Sequence, residues 1–295
     1  MEIKVLNDGF VRLVDIMGND AAIVQAARVS YGEGTKTTQT DEQLIRYLMR
    51  HKHTSPFEMC EMKFHVRVPM DTWRQWIRHR TASVNEYSTR YSKAIDSMQS
   101  TGIREWRLQS SDNKQGSSGT PHIHLGEVLS VEEDALQVKV WELYEHCLKE
   151  GIAREQARKN LLLSTYTEAY WKIDLHNLLH FLALRLHSHA QWEIRQYAAA
   201  LLVFVQNSFP LTYKAFQDYT MGSVSLTALD QQVIRALQKS EAETVKVLLE
   251  LEWATYSNDS YLPTLYKQLS FGKYRERLEF EEKAKSLGLE GWWKE

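Results

Sequence analysis

Cysteine is scarce: Cys60 and Cys147 are the two in 295 residues, far apart and in no Cys-x-x-Cys pattern. A disulfide framework is excluded, and free thiols in a reducing compartment are expected. Neither thiol sits in a sequence setting that marks a reactive cysteine. Charge of one sign is also missing. Thirty-six Lys and Arg against 38 Asp and Glu leave a net charge of −2, so no general basic field exists for nucleic acid or an anionic membrane. No segment approaches the ~20 apolar residues of a membrane span. The opening MEIKVLNDGF has no apolar run suited to a signal peptide. These absences predict a cytoplasmic protein. Gly-x-Gly-x-x-Gly and Gly-x-x-x-x-Gly-Lys are absent too, so a nucleotide or cofactor has to be held in some other way.

What is present is ordinary for a folded protein: 43% hydrophobic and 25% charged residues. Residues 2–15 read as a hairpin, with Asp8-Gly9 as its turn signal. Residues 20–29 read as a short helix and 31–40 as a loop. Thr40-x-x-Gln43 reads as a capping box opening a helix through Leu44, Ile45, Leu48 and Met49. In "MKFHVRV", Met62, Phe64, Val66 and Val68 alternate with Lys63, His65 and Arg67, the period of a half-buried strand. Pro69 ends it, and Asp71 is placed to cap a helix through Trp73 and Trp76. Residues 110–122 are rich in turn formers. Ser130-x-x-Glu133 reads as a second capping box, ahead of an apolar stripe ending near Gly151. One long helix is predicted from about Asp174 to Asn207. Helices with few strands predict an α+β fold. The chain divides into residues 1–220 and a charged, helical extension, 221–295.

The stretch "RHRTASVNEYSTRY" (78–91) holds three arginines among serines, Asn85 and Glu86. The plain alternative is a solvated basic turn. Guanidinium forks suit phosphate and carboxylate, however, and the stretch follows an aromatic-rich helix, which brings a site for a phosphorylated small molecule at least level with that alternative. His176 and His180 share a helix face, with Asp174 nearby. The His-Glu-x-x-His pattern is absent because Asn177 follows His176, and no metal is expected. His122-Ile-His124 reads as a loop or strand edge. Arg185 stands in an apolar segment and needs a partner, either Glu193 or an anionic ligand. Two other classes remain open at this point. A nucleic-acid module would bind with strong salt dependence, and a phosphohydrolase using Asp174, His176 and His180 would need metal.

Arg-His-Arg followed by seven residues and Ser88, with Arg90-Tyr91 beyond, resembles the signature of the flavin-dependent thymidylate synthases, the ThyX family. "AARVSY" (26–31), "HTSPFE" (53–58), "RQWIRHR" (74–80) and "LRLHSHAQWEIRQYA" (184–198) resemble the family in the same order. The resemblance covers roughly residues 1–215. It implies a ThyX-type fold: an antiparallel sheet with long helices. It implies methylation of dUMP to dTMP, with 5,10-methylenetetrahydrofolate as one-carbon donor, FAD reduced by NADPH as hydride source, and no enzyme nucleophile. It also implies a homotetramer whose sites are shared between subunits.

Residue by residue, the resemblance places Ser30, Ser55, Arg78, His79, Arg80 and Glu86 at the flavin, the Arg78–Arg80 stretch on its diphosphate. It places Gln75, Arg78, Glu86, Ser88, Arg90, Arg158 and Arg185 at dUMP, with Ser88 and Arg90 near the phosphate and Arg185 facing the uracil ring as the catalytic group. His53 and Tyr91 border the flavin and folate pocket. Asp174, His176 and His180 stand where some members carry Asn, Arg and Asn, so their flavin contacts are expected by position only.

Overall fold

The computed structural model describes residues 1–29, 40–110, 116–257 and 264–294. The predicted loop 31–40 therefore lies almost wholly outside the described residues, as does Ser30. The chain divides into two units, Met1–Gly222 and Ser223–Glu295.

In the first unit the elements begin β1 (Glu2–Val5), β2 (Gly9–Met17), α1 (Asp20–Arg28), α2 (Asp41–Arg50), α3 (Ser55–Glu58), β3 (Glu61–Pro69), α4 (Met70–Trp76) and β4 (Ser83–Glu86). They continue α5 (Ile123–Lys149), α6 (Arg154–Ala157), β5 (Tyr166–Asp174), α7 (Leu175–Arg185), α8 (Trp192–Ser208) and α9 (Pro210–Phe216). The five strands form one antiparallel sheet in the order β1-β2-β3-β5-β4. The fold is α+β, as expected.

The period-two reading of β3 holds: Met62, Phe64, Val66 and Val68 are all fully buried. Their partner β5 escaped the sequence reading, although Ala169, Trp171 and Ile173 alternate with Glu168, Tyr170 and Lys172. Register pairs Phe64 with Trp171. That buried face packs on α7 and α8 through aromatic rings. Trp171 lies 5.3 Å from Phe181 and 5.1 Å from Trp76, centroid to centroid. Such pairs add to the burial of large apolar area. The opposite face is a ladder of charges across the strands. Glu168 accepts from Arg67 Nε at 2.8 Å and meets His65 Nε2 at 2.7 Å, and Lys172 reaches Glu61 at 2.8 Å.

Gly9 closes the β1–β2 hairpin because nothing larger fits. A Cβ there would stand 2.0 Å from the Tyr197 hydroxyl and 2.6 Å from the Val5 carbonyl. Asp20 joins the ends of this unit: its carboxylate accepts from Leu211 N, Thr212 N and Thr212 Oγ1 at 2.8, 3.1 and 2.7 Å. These bonds satisfy amide donors at the start of α9 that the helix itself leaves unpaired.

Several expectations are corrected. Asp71 does not cap α4. The N-cap position is Pro69, and the amides of Met70 and Asp71 donate instead to the carbonyls of Thr165 and Leu163 at 3.1 and 3.0 Å. Ser130 does not open a helix. His122 caps α5, so His122-Ile-His124 is a helix start, and Ser130 sits two turns inside. Its hydroxyl donates to the Thr101 carbonyl, while Glu133 accepts from Thr101 N. The pair therefore ties a loop to the helix. The single helix predicted over 174–207 is two helices. A turn at 186–191 separates them, where His187 Nδ1 accepts from His189 N and competes with helical bonding.

The second unit contains α10 (Ala228–Leu237), α11 (Glu241–Glu250), β6 (Thr255–Tyr256), β7 (Leu269–Ser270) and α12 (Arg275–Ser286). Val233, Leu248, Trp253, Phe280 and Trp292 are buried in its core. Thr227 and Asp230 form a capping box for α10, and Asp230 also accepts from Lys283 at 2.9 Å. Glu281, buried in the same core, takes an ion pair from Arg277 and a 2.6 Å bond from Trp292 Nε1.

Candidate active site

Pro69 ends β3 and turns the chain directly into α4, which delivers Gln75 and then the Arg78-His79-Arg80 stretch before β4 returns to the sheet edge. Across from this stretch runs α7. Asp174 caps it by accepting from Asn177 N at 2.9 Å and Asn177 Nδ2 at 2.8 Å, so its carboxylate is engaged within its own helix. Between the two lies a cavity of about 370 Å³, lined by Arg78, His79, Arg80, Asn177, His180 and Arg185 among others. Its described lining contains three guanidiniums and no carboxylate. That donor set suits an anion such as a diphosphate. His176, one turn before His180, does not line it.

Arg185 is held from two sides. Its Nε donates to His79 Nε2 at 3.1 Å, and its Nη2 donates to the Gln75 carbonyl at 3.3 Å. Glu193, the ion-pair partner offered by the sequence, belongs instead to Arg107 at 2.5 Å. α8 places Glu193 among its buried residues. Burial pushes the His79 pKa from the usual 6.5 down to about 4, with the Arg185 charge and His180 acting in the same direction. Burial also lowers the Arg185 pKa, though guanidinium remains the charged form at neutral pH. Among the described residues, Arg185 Nη1 has no protein partner.

A second cavity, about 700 Å³, opens between β4, α6 and the start of β5. Arg74, Glu86, Ser88, Arg158, Lys159 and Thr167 line it. Glu86 accepts from Thr167 Oγ1 at 2.9 Å, and Arg158 Nη1 donates to Thr89 Oγ1 at 2.8 Å. Arg90 stands at the edge, 3.4 Å from Glu155. A third cavity, about 720 Å³, has Tyr47, Leu48, His53, Ser55 and Met59 in a mostly apolar wall. Tyr91 lines none of the three and is 78% exposed, so one chain does not bring it to His53.

The residues assigned to dUMP thus fall into two groups. Glu86, Ser88 and Arg158 line the second cavity, while Arg78 and Arg185 line the first, with Gln75 bonded to Arg185. The two cavities share no lining residue. Sequence reasoning missed Arg74, Lys159, Thr167, Asn177 and Gln191. Arg74 and Gln191 lay inside quoted motifs, but nothing in their spacing marked them.

Residues 12–211 match the family model described as thymidylate synthase complementing protein. A flavin-dependent thymidylate synthase of Wolbachia pipientis wMel is 51% identical over 245 residues, covering 82% of this chain and 86% of that protein. One from a strain of Thermus thermophilus is 49% identical over 247 residues, covering 82% and 87%. The chain belongs to the flavin-dependent thymidylate synthase family. Among solved structures, the UMP/dUMP methylase PolB of Streptomyces cacaoi, bound with 5-Br dUMP, superposes with a TM-score of 0.66 at 34% identity. It covers 74% of this chain and 98% of that one. Membership of the flavin-dependent thymidylate synthases makes the chain an enzyme, a methyltransferase with small-molecule substrates. Among the described residues, no helix is long and apolar enough to cross a membrane.

Proposed function

We propose that the chain methylates dUMP to dTMP, taking the one-carbon unit from 5,10-methylenetetrahydrofolate and the hydride from FAD reduced by NADPH, without an enzyme nucleophile. The carboxylate-free cavity beneath Arg185 carries this reading: its three guanidiniums suit phosphorylated ligands, and one of them is fixed in orientation. The same donor set fits a flavin diphosphate held by Arg78, His79, Arg80 and His180, with Ser55 and His53 in the apolar cavity suited to a flavin or folate ring. When bound, the flavin supplies the hydride chemistry.

The remaining steps fall to side chains of this chain. Uracil C5 attacks a carbon electrophile only if negative charge can build on the ring. Arg185, oriented by two bonds before substrate arrives, stabilises that charge as it forms. Glu86, Ser88, Arg90 and Arg158 hold the nucleotide, the last three as donors to phosphate. Neither thiol lines the three cavities described above. Cys60 is fully buried, its thiol pKa raised by that burial, and Cys147 packs beside Tyr144 on α5.

We also assign a homotetramer with shared sites. The division of the nucleotide residues between two cavities supports it, since a second copy can set Glu86, Ser88 and Arg158 against Arg185. Protein prepared with FAD should be yellow and should form dTMP from dUMP with both co-substrates present. Arg80→Ala should lose flavin while remaining folded. A colourless wild-type protein that binds no FAD, or an Arg80→Ala variant with undiminished flavin affinity, would count against the assignment.

A further inference from the structure

The segment that carries Ser88 and Arg90 is tied down at both ends by tyrosines. Tyr87 prolongs the edge strand β4, its amide donating to the Glu168 carbonyl of β5 at 2.8 Å. Residues 88–92 then fold back in a turn, with Tyr91 N and Ser92 N donating to the Ser88 carbonyl at 3.2 and 3.0 Å. Arg158 Nη1 holds the middle of this turn through Thr89 Oγ1. The turn ends at the peptide bond between Lys93 and Ala94, and two hydroxyls meet there. Tyr87 Oη donates to the Lys93 carbonyl at 2.7 Å, and Tyr144 Oη of α5 accepts from Ala94 N at 2.8 Å. One peptide unit is thus gripped by its oxygen from the sheet side and by its N–H from the helix side. Tyr144 and Ala94 are buried, whereas Tyr87 is half-exposed and lines the cavity of Ser88 and Arg158. Lys93 adds a further tie to α5, with its ammonium paired to Glu145 and 5.8 Å from the centre of the Trp141 ring.

We propose that Tyr144 and Tyr87 are positioning residues that keep the 88–92 turn assembled before the nucleotide arrives, so that Ser88 and Arg90 are already set for its phosphate. A turn this short has few bonds of its own, and releasing its far end multiplies the conformations it can adopt. A ligand that needs the turn in one form then binds more weakly, in proportion to the fraction of molecules that hold that form. The effect is confined to the phosphate. Arg185, assigned to the uracil ring, lines the other cavity, and the two cavities share no lining residue. The inference rests on the placement of the phosphate at Ser88 and Arg90 proposed above. Neither tyrosine touches the reacting atoms in this scheme.

The test uses flavin-loaded wild-type enzyme, Tyr144→Phe and Tyr87→Phe. Each variant loses one hydroxyl and keeps its ring, including the contact of residue 144 with Trp141 at 5.1 Å. Dissociation constants are measured for dUMP and, by competition, for deoxyuridine, which has no phosphate. Tyr144→Phe should weaken dUMP about two- to tenfold, the range carried by one neutral hydrogen bond, and leave deoxyuridine unchanged. Its KM for dUMP should rise by the same factor, with kcat at saturating dUMP intact. Tyr87→Phe should act in the same direction to a smaller extent, because water competes for its exposed bond, and it serves as the test should Tyr144→Phe fail to fold. An unchanged dUMP affinity in the folded variants overturns the clasp. So does an equal loss for dUMP and deoxyuridine, or a fall in kcat without a rise in KM, since either marks a general structural role. Wild-type enzyme that binds deoxyuridine as tightly as dUMP overturns the placement of the phosphate itself, a distinct result.

Discussion

Arg185 Nε donates to His79 Nε2 across 3.1 Å, joining residues 106 positions apart. Because Nε2 accepts, the proton of the neutral imidazole must sit on Nδ1. A protonated His79 could not accept this bond and would repel the guanidinium. The pH dependence follows with a definite sign. In the unfolded chain His79 takes a proton near 6.5, whereas in the fold it resists until about 4. Stability is therefore unaffected by this group above 6.5, falls as pH drops from 6.5 toward 4, and levels below. His79→Gln keeps an acceptor and removes the titration. Urea midpoints measured from pH 7.5 to about 4 should fall less steeply in the variant, and parallel curves would contradict the assignment.

Arg185 should matter to chemistry more than to folding. Loss of a preorganised donor to developing charge lowers rates by about 10²–10³. Arg185→Ala should reduce kcat for dTMP formation by that order, with a smaller effect on dUMP binding. Arg185→Lys should recover little, because an ammonium cannot bond His79 and the Gln75 carbonyl while also addressing a ring. Single-turnover oxidation of reduced flavin, with dUMP and methylenetetrahydrofolate present, separates this from a merely destabilised protein.

Ser88 should act as a phosphate ligand and not as a nucleophile. It lines the cavity of Arg158 and Glu86, with Thr89 and Arg90 beside it and no histidine in that lining. A hydroxyl bond to a charged group contributes ~1.5–3 kcal/mol, so Ser88→Ala should weaken dUMP binding roughly 10- to 150-fold yet retain turnover. Mass spectrometry of quenched reactions should find no adduct on Ser88.

Asp20 should be a stability residue remote from the chemistry. Its carboxylate, 8% exposed, takes three bonds from Leu211 and Thr212. Asp20→Ala leaves those donors unsatisfied and should cost about 3 kcal/mol. Urea denaturation followed by tryptophan fluorescence measures the loss. Flavin-loaded protein that remains folded should keep its kcat.

The sequence by itself determined what local pattern can encode. Alternation placed Met62, Phe64, Val66 and Val68 on one face of a strand, because side chains on a strand point to opposite sides in turn. Thr40 and Gln43 announced the start of α2, and their capping box is present. Residue type alone left the Arg-His-Arg stretch open between a solvated basic turn and a site for a phosphorylated molecule, and the fold sets all three residues in the lining of one cavity. Only the tertiary structure decided which groups meet. Ser130 and Glu133 had the spacing of a cap, yet they bind Thr101 inside a longer helix, because packing against a distant loop gave their oxygens other partners. Arg185 had Glu193 in easy sequence reach, but the turn at 186–191 and the burial of α8 gave Glu193 to Arg107 and Arg185 to His79. The division of the residues proposed for the nucleotide between two cavities was equally invisible in the chain. Periodicity records which face of an element is apolar. It does not record which distant element that face will meet, and the partners of Arg185, Gln75 and Asp71 depend on that meeting.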